Sequence, residues 1–234
     1  MASFDISSVR EGLKDTRDAT YHRGKSWEYC YAFFRQHEAF RSDPELMDKA
    51  ALHLGFYLAN WGMFRNSFLM ETDYRFYASI IEVLIKEKYD PLWESDVWNV
   101  EKEDEQGKNL DLLFELEEDL RSEIKREKQL IHREKSNEKT WGVSVTLITK
   151  IIMGTMGCVP AYDRYFKEGL KKVFPLRGST SFNKESFKAL LDFSREESCR
   201  EIYTVPVSIG KTKLNYPPMK LLDLYFWLRG YNKS

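Results

Sequence analysis

Apolar residues along this chain recur mostly at intervals of three and four, the spacing of a helix with one buried face. From Pro44, the positions Leu46, Ala50, Leu54 and Leu58 carry that pattern to Trp61. Asp43 before Pro44 reads as an N-cap followed by proline at the first helical position, and Gly62 as the stop. Phe76, Ile80, Ile81, Leu84 and Ile85 define an amphipathic helix over Tyr74 to Lys88. Leu112, Leu113, Leu116, Leu120 and Ile124 form one stripe of a long, highly charged helix over Leu110 to Ile131. Asn183 opens a helix through Phe187, Leu190, Leu191 and Phe193. Pro217-Pro218 launches the last one, Met219 to Leu228, with Gly230 closing it. Alternation of the kind that marks strands is confined to Glu201 to Ile209, where Pro206 limits it to an edge strand or an extended loop. The expected fold class is all-α, with two helical lobes and a concave surface between them. One wall of that surface is expected from Trp61–Phe68 and the other from Val159–Phe166.

The stretch from Thr140 to Phe166 departs from simple amphipathicity. A Gly-containing turn leads into an almost wholly apolar helix, a second Gly-marked break follows, and Pro160 then introduces one carboxylate, Asp163. Between Thr140 and Tyr162 the only charge is Lys150. A central lysine costs about 2.5–3.5 kcal/mol on a membrane-insertion scale, so a core segment is expected rather than a membrane span.

Composition and charge narrow the classes. With 42% hydrophobic and 15% aromatic residues, 12 Gly and 7 Pro in 234 residues, the chain supports a core and is neither low-complexity nor collagen-like. The net charge of −1 conceals a division. Met1 to Leu120 carries 14 Lys+Arg against 25 Asp+Glu, a net of −11, and Arg121 to Ser234 carries 22 against 12, a net of +10. A basic half points to an anionic partner; the alternative is that the halves attract one another. The charged run Glu101 to Gly107 reads as the break, which gives an acidic lobe over 1–100, a loop over 101–108 and a basic lobe over 109–234, or else a single compact domain. Cys30, Cys158 and Cys199 form no CxxC pair, so zinc ribbons and iron–sulfur clusters are not expected, and the thiols suit a reduced, cytoplasmic setting. The N-terminus has no apolar signal-peptide core.

Most familiar catalytic patterns are missing. Gly210-Lys211-Thr212 ends like a phosphate-binding loop, but Val205 stands where the first glycine is required. His22, His37, His53 and His132 share no metal-ligand spacing, and neither metal nor cofactor is expected. Two features remain. The segment Asn60 to Phe68 holds Trp61, Phe64, Arg65 and Asn66, residues suited to stacking on a flat base and hydrogen bonding its edge, or simply to closing a helix end in the core. Asp163, flanked by Tyr162 and Arg164, is a candidate catalytic carboxylate, or else a helix cap.

The layout Gly142-Val143-Ser144, a helix, and then Val159-Pro160-Ala161-Tyr162-Asp163 resembles the helix-hairpin-helix DNA glycosylases. In that family a Gly-Val-Gly-type hairpin grips the DNA backbone, and a Val-Pro-x-Asp element about two dozen residues later presents the catalytic carboxylate. Gly142 and Asp163 are 21 residues apart. The resemblance implies that Asp163 is catalytic, that Gly142 to Val145 contact phosphate, and that Trp61, Phe64, Arg65, Asn66 and Tyr162 form a base pocket. It further implies that Lys139, Lys150, Arg164, Lys167, Lys171 and Lys172 hold double-stranded DNA bearing a damaged or modified base. Ser144 replaces the second glycine of the hairpin. Val145 and Thr146 stand where bifunctional members keep an amine nucleophile, so the implied enzyme is monofunctional, in repair or in defence against modified foreign DNA. The rival expectation is a non-catalytic helical protein that binds nucleic acid or a protein partner, or a structural oligomerisation unit.

Overall fold

In a computed structural model of the chain, residues 4–19, 21–94, 97–99, 103–135, 142–173 and 180–231 are described. Among them the fold is all-α, with ten helices: α1 (Ile6–Asp18), α2 (Gly24–Phe34), α3 (Pro44–Asn60), α4 (Arg75–Leu84), α5 (Glu103–Lys135), α6 (Val145–Thr155), α7 (Arg164–Val173), α8 (Lys184–Ser194), α9 (Glu201–Thr204) and α10 (Pro218–Tyr231). The only extended pairing among these residues is an isolated antiparallel bridge between Ser208 and Asn215. No helix among them is long and apolar enough to cross a membrane.

Local chemistry sets several boundaries as expected. The Asp43 carboxylate accepts from the N–H groups of Glu45 and Leu46, with Pro44 opening α3, and Gly62 adopts φ +76° where the chain leaves it. Asn183 caps α8 through the N–H of Ser186.

Four expectations are corrected by tertiary contacts. The helix expected over Tyr74 to Lys88 ends at Leu84; Lys86 is extended, and a 3-10 segment over Glu87–Trp93 turns Tyr89, Leu92 and Trp93 into the core. Helix α5 begins at Glu103 rather than Leu110, so residues assigned to a loop form its opening turns. There Gln106 is buried and accepts from Arg195 at 2.7 Å, a long-range contact that a charge run does not reveal. Residues 201–204 are α9, and the extended loop expected over 201–209 is confined to 205–209, where Ser208 forms the isolated bridge. Helix α10 runs through Gly230, because that glycine serves packing rather than termination: a Cβ there would lie 1.8 Å from the Tyr165 carbonyl oxygen on α7.

The hydrophobic cluster runs without interruption from Phe4 to Phe226 and draws on both expected lobes. Helix α6 is its centre, with every residue from Leu147 to Thr155 buried, and it meets α2, α3 and α5. Helices α7 and α10 form the closest pair in the fold, and α1 lies against α10. This arrangement brings α2, the end of α3, α6, the start of α7 and the start of α10 to one place.

Candidate functional site

The site is built from α6 outward. The carbonyl groups at its C-terminal end are satisfied by side chains from the acidic half: Trp27 Nε1 donates to Met153 O at 3.0 Å and Arg35 to Thr155 O at 2.7 Å. Gly157, at φ +75°, then reverses the chain, where Tyr31 and Pro217 crowd against it and leave no room for a side chain. The returning segment is pinned to α6 by two hydroxyls. Thr146 Oγ1 donates to Tyr162 O at 2.8 Å, and Thr149 Oγ1 accepts from Tyr162 N at 3.0 Å. Asp223 on α10 accepts from Ala161 N at 3.0 Å. Asp163 is thereby fixed at the head of α7, where its Oδ1 accepts from Phe166 N at 3.1 Å.

Lys150 is the one charge on the buried helix α6, and it is only 4% exposed. Its Nζ donates to Trp61 O at 3.1 Å and stands 3.6 Å from Asp163 Oδ2. Trp61 is the C-cap residue of α3, so the ammonium also lies at the negative end of a helix dipole. Burial pulls the Lys150 pKa below the usual lysine value, opposed by Asp163 and Asp223. A second pair faces it. Lys220 and Asp223, 3% and 4% exposed, meet at 2.7 Å on the first turns of α10. Burial raises the Asp223 pKa, opposed mainly by Lys220.

Both pairs line a cavity of about 420 Å³ whose walls are aromatic: Trp27, Trp61, Tyr216, Trp227 and Tyr231. The Trp61 indole is the centre of its charge distribution. Arg23 lies 4.9 Å from that ring, and Lys150 and Lys220 each lie 5.5 Å from it. Arg23 also lies 5.8 Å from Trp227. The cavity therefore joins flat aromatic faces to two carboxylates and three cations.

Of the residues expected as a base pocket, Trp61 lines this cavity, and so does Asp163, the expected catalytic carboxylate. Phe64 packs against the core, Arg65 and Asn66 are exposed, and Tyr162 is fully buried behind the cavity against Phe166 and Phe182. The turn after Gly62, with Asn66 at φ +52°, points the segment's polar residues outward. Lys150, expected as a phosphate contact, is instead held inside by Trp61 O and Asp163. Arg164, Lys171 and Lys172 are exposed and Lys167 half-exposed on α7; Lys171 pairs with Glu168 and Lys172 donates to Arg229 O. Lys139 lies outside the described residues. Gly142 is exposed, Val143 O accepts from Arg121 at 2.8 Å, and Ser144 caps α6 through the N–H of Leu147.

Arg23, Trp27, Lys220, Asp223 and Trp227 carry much of the site and were not singled out from the sequence. The available signal was the pair Lys220 and Asp223, spaced i, i+3 in the apolar first half of the last helix. Comparison with known protein families, with characterised proteins and with solved structures finds no match.

Proposed function

We propose that this protein is a DNA glycosylase-like hydrolase that takes a flipped, modified base into the Trp-lined cavity and cleaves its N-glycosidic bond. The observation that carries the reading is the Asp163 carboxylate, 15% exposed, at the edge of an aromatic cavity and paired with a buried ammonium. The base would stack on Trp61. As the C1′–N bond breaks, its electron pair leaves with the base and positive charge develops on the sugar. Asp163 would stabilise that charge and orient the water that adds to C1′, the water's proton ending on the departing base. Lys150 acts here as a positioning residue, holding Oδ2 while the α7 amide holds Oδ1. Duplex DNA would be held through the exposed cations of α7 and the turn at Gly142 to Ser144, and the product would be an abasic site with the strand intact.

A second reading has its own support. The bond from Phe166 N to Asp163 makes the same carboxylate a helix cap, which is what a non-catalytic binding protein would need of it.

The deciding assay is incubation of the full chain with duplexes carrying a panel of modified bases, followed by alkali. The expected result is a strand break that appears only after alkali, for one class of base. An absence of abasic sites across the panel, together with unimpaired duplex binding, would favour the binding protein.

A further inference from the structure

Charges in the cavity are not evenly matched. Each carboxylate serves a buried lysine: Asp163 stands 3.6 Å from Lys150, and Asp223 bonds Lys220 at 2.7 Å. Arg23, the third cation, is different in kind. It is exposed, it opens α2 without a side-chain cap bond, and among the described side chains it forms no ion pair. Among the described residues its guanidinium lies against the indole faces of Trp61 and Trp227. Ring faces accept no conventional hydrogen bond in the guanidinium plane, so the planar fork of donors stays available. Beside it, His22 Nδ1 accepts from Gly24 N at 3.0 Å. That bond assigns the proton of a neutral ring to Nε2, which adds a donor to the same part of the lining.

We infer that Arg23, assisted by His22, is the receptor for a phosphate ester carried by the molecule whose ring occupies the Trp61 cavity, which makes the ligand class a nucleotide rather than a free base or nucleoside. This deepens the proposed function and rests on it for the identity of the ring. The arrangement is polar along its length: the Asp163 carboxylate lies inward, the indoles form the wall, and a free guanidinium stands toward solvent. A nucleotide has the same sequence of parts, with its glycosidic bond between base and phosphate. Arg is suited to the phosphate end because its fork meets two oxygens at once.

The test uses the full chain and tryptophan fluorescence, since Trp27, Trp61 and Trp227 all line the cavity. The four 2′-deoxynucleosides and their 5′-monophosphates are titrated into the native protein, Arg23→Gln and Arg23→Lys. At least one monophosphate should bind about tenfold or more tighter than its nucleoside, as expected for a charge-assisted bidentate contact. Arg23→Gln should bring that ratio near one, and Arg23→Lys should keep part of it. Equal affinity for both members of every pair, no binding by any, or an unchanged ratio in Arg23→Gln would overturn the assignment. Base release is not read in this titration. A phosphate preference that depends on Arg23 therefore stands even if no duplex loses a base, and excision without such a preference would remove the Arg23 role alone.

Discussion

A lysine enclosed by an apolar helix and its neighbours needs an acceptor for its charge, and Lys150 takes the free carbonyl at the end of α3 together with Asp163. Burial nevertheless depresses its pKa below the unfolded value of 10.5. Between the folded and unfolded values the unfolded chain holds more protons, so stability should rise with pH through that window and level off above about 10.5. Urea unfolding of the native chain and Lys150→Met between pH 7 and 10.5 checks this. The native chain should gain on the variant as pH rises; parallel curves would show that Asp163 and Asp223 cancel the burial effect. The Lys220–Asp223 pair is more deeply enclosed, and Asp223 also holds Ala161 N. Lys220→Met should therefore lower stability by about 3–5 kcal/mol by stranding a buried carboxylate. Adding Asp223→Asn should recover part of that loss, and a double variant as unstable as the sum of the singles would argue against the pairing.

Helices α7 and α10 approach so closely that two glycines are required between them. A Cβ on Gly169 would lie 1.9 Å from Phe226 O, and one on Gly230 would lie 1.8 Å from Tyr165 O. Both contacts are with backbone, which cannot rotate away, so Gly169→Ala should destabilise by about 1–3 kcal/mol or more and disturb the placement of Asp163. Gly107 is the control: it lies on α5 with nothing within 4 Å of its added Cβ, and Gly107→Ala should be neutral or stabilising by up to about 1 kcal/mol. Thermal or urea unfolding of the two variants side by side tests the contrast. The same pair of helices shows what was legible beforehand. Periodicity and caps such as Asp43-Pro44 and Asn183 are local, and they located most helices. Gly230 read as a stop because packing against a partner residue 65 positions earlier (Tyr165) leaves no local trace. The cavity was half legible for that reason. Trp61 and Asp163 stood out within their own segments, whereas Lys150 meets Trp61 across 89 residues and Ala161 meets Asp223 across 62. Arg23 had nothing nearby in sequence to mark it.

The acidic and basic halves share one core, and Lys184 on α8 pairs with Asp111 on α5 across the division at 2.7 Å. The exposed cations of α7 lie on the basic side. If duplex DNA is the partner, log affinity should fall steeply with log salt, and reversing Lys171 and Lys172 to Glu should weaken all sequences alike and flatten that slope. Binding that ignores salt would exclude this face.

The most direct measurement is single-turnover base excision by Asp163→Asn on a duplex that the native protein processes. Asn keeps the size of the side chain and can still accept from Phe166 N, so the variant should fold, with some loss of stability because buried Lys150 keeps Trp61 O but loses its carboxylate partner. With the charge removed, excision should fall by about a hundredfold or more, while affinity for an abasic duplex holds or tightens. An Asn variant that folds normally and excises at the native rate would show that Asp163 is a helix cap and not the catalytic carboxylate.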